Sequence, residues 1–468
     1  MKLNRNLIAA VALGALTGFD PANAQTSDAD VKALLQRVQE LEQKVKTLEG
    51  KETLAKETAT EKSKTTPMVT IGATGLQATS ADTNFTFALH GLLQIDSRTF
   101  FDDGGIQGND AFLVRRARPI FSGTVFRDFD FMFNPDFGGS TVQIFDAYLN
   151  YRFQPWLQAR IGKFKSPIGL EYLQADQFTM FNERALPTAL VPGRDVGFQI
   201  WGELSGGVFS YAAGIFNGLG DGRNSSNADF DDHREFAGRV FVQPFKKTEL
   251  TGLRGLGLGV GGSWGDYSVT NSTGQPNGNG YLTDGQQQFF AYNPTTGAVV
   301  AEGEHWRLAP QGYYYFGPFG LMGEYTVSSQ GVQRNIAPFE SARLEHTGWQ
   351  VAASWVLTGE DATFTGVTPR HDFDPRSGKW GAFQVVGRIA ELDIDDATFP
   401  LYANPLASAT AAHSWSAGLN WFLNKNVAIK TSYSRTTFDG GGGAGTTSPA
   451  MVTRQPEQVF FTRMQLSF

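Results

Sequence analysis

From residue 85 onward the chain keeps a period of two. Phe85, Phe87, Leu89, Leu93 and Ile95 fall on one parity, and Thr86, His90, Gln94, Asp96 and Arg98 on the other. A strand built this way turns one face to apolar surroundings and the other to water. The same test along the chain predicts about sixteen strands, near 85–99, 110–123, 126–136, 141–153, 156–164, 195–205, 207–217, 234–245, 256–268, 305–316, 318–328, 346–358, 379–393, 411–423, 426–438 and 457–468. Connections after even-numbered strands are mostly tight, such as Phe153-Gln154-Pro155, Ser205-Gly206-Gly207 and Gly317-Pro318, whereas those after odd-numbered strands are mostly long, including 165–194, 219–233, 269–304, 329–345 and 440–456. Short turns alternating with long loops on an even strand count are the pattern of a transmembrane β-barrel. One connection, 359–379, breaks it by being long on the short-turn side. A soluble β-sandwich would share the alternation. The turn asymmetry, the exported start of the chain and a last strand ending on Phe468 favour the barrel.

Two stretches depart from this rhythm. Residues 165–194 combine Phe178, Met180, Phe181 and Leu186 for burial with Pro167, Pro187 and Pro192 against regular structure, and with Glu183, Arg184 and Arg194 for charge. A loop this long inside a compact domain usually has its own task, and the expectation is that it folds into the lumen and narrows it. Residues 28–48 place Val31, Leu34, Val38, Leu41, Val45 and Leu48 at alternating spacings of three and four, the seam of a coiled coil. The segment 25–50 is therefore expected to oligomerise, with a solvated amphipathic helix as the alternative. Residues 51–84 are expected to form a linker, because 50–67 is nearly all Lys, Glu, Thr and Ser and offers no core. Before the helix, 1–24 reads as a signal peptide, with Lys2 and Arg5, an apolar run over 7–16 and the small-residue end Ala22-Asn23-Ala24. That run is too short to span a bilayer, and no later one is long enough. An exported chain of this kind crosses a membrane only as a closed barrel. An even strand count puts both termini of the 85–468 barrel on the short-turn, periplasmic side, and the coiled coil with them.

Composition supports this picture and removes others. The 468 residues include 54 glycines, 13% aromatic and 18% charged residues and no cysteine, which suits a large antiparallel barrel with many turns. A net charge of −7 disfavours a nucleic-acid partner. Without cysteine there is neither a disulfide framework nor a thiolate metal site. The six histidines show no metal-ligand spacing, and nothing selects a Ser–His pair. No catalytic residue, metal or cofactor is expected.

From Phe112 to Leu204 the sequence becomes specific. FLVRRARPIFSGTVFRDFDFMFNPDF, IFDAYLNYRF, ARIGKFKSPIGLEYL and FNERALPTALVPGRDVGF, followed by KWGAFQVVGRIAELDI, LNWFLNKNVAIKTSYSRT and TRMQLSF, resemble the phosphate-selective porin O and P family over most of 85–468. The resemblance implies a homotrimer of 16-stranded antiparallel barrels in the outer membrane, each with its third external loop bent into the pore. It also implies a passive channel for small anions, phosphate or polyphosphate among them. A general porin and a structural or adhesive barrel with a periplasmic tether are the alternatives.

Anion passage needs cations that replace hydration without trapping the ion, and the arginine fork suits phosphate oxygens. Arg115, Arg116 and Arg118 form the densest cluster. Adjacent Arg115 and Arg116 cannot both face water from a regular strand, so either a bulge re-aims one of them or one lies in a subunit contact. The resemblance matches this pair to pore arginines, retains Arg184 in the inward loop and keeps Asp146 as the acidic pore residue. It also puts Leu92, Asp130 and Tyr172 where phosphate channels carry basic residues, which weakens a high-affinity phosphate site. Arg160 and Arg239, on the polar parity of their strands, are further wall candidates, with an ordinary cross-strand ion pair as the alternative for each, and Arg239 falls where the family has an external ladder arginine. Glu183, beside Arg184, is a candidate for pinning the loop.

Overall fold

The computed structural model describes residues 28–101, 108–139, 141–225, 232–268, 280–293, 298–443 and 453–468. The expected signal peptide, 1–24, lies outside them. The chain forms two units, 1–66 and 67–468.

The first unit is a single helix, α1 (Asp28–Thr65). It runs through much of the stretch expected to be a linker. The lysines, glutamates and alanines that deny 50–65 a core are good helix formers, and Glu52 pairs with Lys56 one turn on at 2.7 Å. Along the expected seam, Val31, Leu34, Val38, Leu41, Val45 and Leu48 are all exposed in the single chain. The rest of the expected linker is also ordered. Strands β1 (Met68–Gly72) and β2 (Gly75–Thr79) make a hairpin.

One antiparallel sheet holds β1, β2 and sixteen further strands. These are β3 (Thr86–Phe100), β4 (Ala111–Val125), β5 (Phe129–Asp136), β6 (Gln143–Gln154), β7 (Leu157–Lys165), β8 (Arg194–Leu204), β9 (Phe209–Phe216), β10 (Glu235–Val242) and β11 (Leu256–Ser268), then, after the small pair β12 (Tyr281–Leu282) and β13 (Gln288–Phe290), β14 (Val299–Phe316), β15 (Phe319–Arg334), β16 (Ser341–Val356), β17 (Ala382–Asp393), β18 (Ala409–Phe422), β19 (Val427–Gly440) and β20 (Glu457–Ser467). Pairing of β20 with β3 closes the barrel, and Phe468 and Gly91 exchange backbone hydrogen bonds of 2.9 and 3.0 Å beyond it. The hairpin strand β2 pairs with Thr86–Leu89 of β3, the part that β20 leaves uncovered.

Burial alternates with the sequence parity. On β3, Leu93 and Ile95 are exposed while Gln94, Asp96 and Arg98 are buried; on β20, Phe460, Met464 and Leu466 are exposed while Arg463 and Gln465 are buried. The apolar face is therefore the outer one, and the polar face lines an interior filled by other parts of the chain.

Several connections fill it, and three of them matter most here. The connection from β7 to β8, 166–193, is held by side chains from many strands. Gln311 of β14 donates to the Ile168 carbonyl at 2.6 Å, Glu324 of β15 accepts from the Leu170 amide at 2.7 Å, Asn420 of β18 donates to the Met180 carbonyl at 2.9 Å and Lys430 of β19 donates to the Thr179 carbonyl at 2.7 Å. At Gly261 of β11, a Cβ would come within 2.4 Å of the Ile168 carbonyl oxygen, so only glycine lets the loop backbone this close to the wall. The β11–β14 connection was not expected to turn in, yet Tyr281, Phe289, Phe290 and Tyr292 bury with Leu190, Leu344, Leu392 and Phe438. Asp284 of that connection accepts hydrogen bonds from Ser414, Ser416 and Ser434 at 2.6–2.8 Å. The anomalous 359–379 connection also folds inward. Phe364 stacks on Tyr313 at 5.2 Å, and its carbonyl accepts from Gln174 at 2.6 Å. These two insertions occupy the lumen beside β14–β20, one from each end.

Candidate functional site

The arginine cluster on β4 depends on a bulge. Gln94 faces Arg116 and Ile95 faces Val114, so Arg115 is the extra residue. This resolves the parity conflict and turns both neighbouring arginines inward. Their partners come mainly from the 166–193 loop. Arg115 donates to both Glu183 oxygens at 2.7 and 3.0 Å, and Arg98 and Arg463 donate to the same carboxylate at 3.1 and 3.2 Å. Asp176 forms ion pairs with Arg184 at 2.6 Å, Arg116 at 3.5 Å and Arg118. Arg118 also pairs with Asp136 at 2.6 Å. Burial favours the neutral form of both loop carboxyls, but the arginines outweigh it and hold Asp176 and Glu183 below the usual carboxylate range. Both are charged at physiological pH.

Glu183, a candidate for pinning the loop, is bound to the wall by Arg115, Arg98 and Arg463. Its neighbour Arg184 pairs with Asp176. Asp146 is buried and accepts from Arg194 at 3.3 Å. Among the three non-basic replacements, Leu92 is buried and Asp130 pairs with Arg152 at 3.1 Å. Tyr172 lies under the Arg184 guanidinium at 5.0 Å and near the Lys165 ammonium at 5.5 Å, while Arg194 donates to its hydroxyl at 3.4 Å.

Two cavities flank this region, both beside β4–β10. One, about 340 Å³, is lined by Arg115, Arg116, Arg118, Arg184 and Arg194, by Asp176 and Glu183, and by Gly222, Asn224 and Gln286 of long connections. It belongs to the long-loop end. The other, about 370 Å³, is lined by Arg160, Arg239, Tyr148 and Trp201 and by Glu203 and Ser210, which flank the 205–208 turn. Between them runs the one-turn helix α2 (Leu170–Leu173), with Tyr172 lining the long-loop cavity and Leu173 the short-turn cavity. The Asp146–Arg194 pair links the two. Arg239, expected on an external ladder, lines the short-turn cavity.

Sequence pattern had pointed to Arg115, Arg116, Arg118, Arg160 and Arg239, and the family resemblance to Arg184 and Asp146. The structure gathers Arg115, Arg116, Arg118 and Arg184 around Asp176 and Glu183 and puts Arg160 and Arg239 together in the second cavity. It adds Asp96, Arg98, Asp176 and Arg463. Arg98, Asp96 and Arg463 stood on the water-facing parity, so the signal was present; Asp176 sat in the aperiodic stretch and carried none. Among the described residues no group of three or more His, Asp or Glu side chains is arranged to hold a metal ion.

A family model described as phosphate-selective porin O and P matches residues 87–468. Porin O of Pseudomonas aeruginosa is 24% identical over 388 residues, covering 78% of this chain and 86% of its own. Among solved structures, the outer-membrane channel DcaP of Acinetobacter baumannii aligns with a TM-score of 0.55 at 11% identity, over 82% of this chain and 98% of its own. An anion-selective porin from Comamonas acidovorans aligns with a TM-score of 0.51 at 11% identity, over 82% of this chain and all of its own.

Proposed function

Because the chain belongs to the phosphate-selective porin O and P family, we propose that it is a passive outer-membrane channel for small anions whose path follows the β4–β10 wall past Tyr172. The observation that carries this is the cavity lined, among the described residues, by five arginines and two carboxylates, Asp176 and Glu183. A mobile anion there meets a positive local potential. The arginines are partly neutralised and Tyr172 adds no charge, so the reading is weak anion preference and not tight phosphate capture. Reversal potentials in asymmetric potassium chloride across planar bilayers test it. A reversal toward the chloride equilibrium potential is expected; a cation-selective reversal would exclude anion transport, and absence of conductance would favour a structural barrel.

The same reading makes the protein a homotrimer with its N-terminal helix in the periplasm. Strands β5, β9 and β10 have 8 residues each. At ~45° tilt an 8-residue strand rises only about 19 Å, short of a ~25 Å apolar band, so neighbouring subunits would replace lipid on that side. The exposed α1 seam provides a second contact among the same copies. Deleting 28–65 is expected to leave a folded barrel and lower the temperature at which trimers dissociate on semi-native gels. An unchanged dissociation temperature would leave α1 without a part in assembly.

A further inference from the structure

Resting on the channel reading, we propose that the short-turn cavity is a binding site for small planar organic carboxylates, with an aromatic monocarboxylate as the fitting class. Its two arginines differ from those in the other cavity. Among the described residues Arg160 forms no ion pair, and its buried Nε has no hydrogen-bond acceptor. Its guanidinium lies over Tyr148 at 4.3 Å, Trp201 at 4.9 Å and Phe164 at 5.4 Å. Arg239 sits over Phe241 at 4.4 Å, and its Nε donates to Gln311 at 2.9 Å. Trp201 is fixed by a 2.8 Å hydrogen bond from its Nε1 to Asn150.

This chemistry disfavours phosphate. A phosphate stripped of water needs donors around all its oxygens, whereas here two forks project from a wall of rings, and the third lining cation, Lys165, already donates to the carbonyls of Tyr172 and Gln174 at 2.7 and 2.8 Å. A carboxylate is satisfied by one arginine edge, and an attached flat ring gains stacking and buried apolar area. The volume, about 370 Å³, is in the range of small-ligand sites. Two carboxylates also line it: Asp146, committed to Arg194, and Glu203, exposed beside the 205–208 turn. They penalise a multiply charged anion more than a singly charged one.

The test uses the full-length protein, with benzoate, acetate and inorganic phosphate as probes. Calorimetry in detergent reads binding without requiring conductance, and block of chloride current in bilayers reads access from the path. Benzoate is expected to bind and to block at a concentration about tenfold or more below that of acetate or phosphate. Arg160→Gln should weaken benzoate by about tenfold or more. Trp201→Leu, which keeps the charge, should weaken benzoate while leaving acetate unchanged. Benzoate no better than acetate, or block by phosphate at lower concentration than benzoate, would overturn the site, as would Arg160→Gln binding benzoate like the parent. Benzoate binding without chloride conductance would sustain the site and overturn the channel; conductance without benzoate binding would do the reverse.

Discussion

Replacing Glu183 by glutamine is expected to loosen the 166–193 loop from the wall and raise both single-channel conductance and its fluctuation. Glu183 is almost fully buried and is the shared acceptor for Arg115, Arg98 and Arg463. Glutamine keeps the shape but removes the charge, leaving three guanidiniums close together with less compensation. Breaking a buried pair by removing one partner costs about 3–5 kcal/mol. The barrel strands do not depend on this contact, because their ladders close without it. The loss therefore falls on loop docking. Arg463 keeps Asp96, to which it donates at 2.6 and 2.7 Å, whereas Arg115 has no other ion pair among the described residues. Single-channel recording should show larger, noisier openings with stronger anion preference, while heat-modifiability on gels stays that of a folded barrel. Quiet channels of parental conductance would mean that the β14–β19 contacts alone hold the loop. Glu183→Asp, too short to reach all three arginines, is expected to be intermediate.

The wall was legible and its contents were not. Each of the sixteen expected strands has its counterpart, and β11 has the expected bounds, because alternation is a local property that the membrane and lumen impose on every strand. The helical start of α1 was legible from its spacings of three and four, but its continuation through 50–65 was hidden by judging that stretch on apolar content instead of helix propensity. Inside the barrel the decisive contacts join residues far apart in the chain. Asp176 meets Arg116 and Arg118, Glu183 meets Arg463, and Asp284 meets Ser434. No local period records such pairings. The inward turn of 280–293 could have been suspected from Tyr281, Phe289, Phe290 and Tyr292, a dense aromatic group in a connection otherwise suited to water. The 359–379 insertion gave a weaker hint in Phe364. The bulge at Arg115 was inferable because two adjacent arginines cannot share one face of a regular strand; its choice over a subunit contact needed the strand register.

Neutralising Asp176 should have the opposite character to neutralising Glu183, changing charge without releasing the loop. Asp176 forms ion pairs with Arg116, Arg118 and Arg184, yet each keeps other partners. Arg116 donates to Gln94 at 2.7 Å, Arg118 to Asp136 at 2.6 Å, and Arg184 to the carbonyls of Glu171 and Gln174 at 3.2 and 3.0 Å. The Asp176 backbone is held separately, by Gln94 at 3.3 Å. In Asp176→Asn the arginines should therefore stay near their places while the long-loop cavity gains one unit of positive charge. A unit charge a few ångströms from a mobile ion is worth about 1–4 kcal/mol between bulk-water and protein-surface screening. That is about a factor of five or more in the preference for a singly charged anion. Phosphate, carrying more charge than chloride at neutral pH, should gain most. The expected result is block of chloride current by phosphate at a concentration about tenfold or more below that needed for the parent, with parental open-channel noise. Adding Tyr172→Lys, which puts a further cation on the one-turn helix between the cavities, should strengthen the block again. If neither change alters phosphate block, the ions pass elsewhere than between Asp176 and Tyr172, and the path along the β4–β10 wall is wrong.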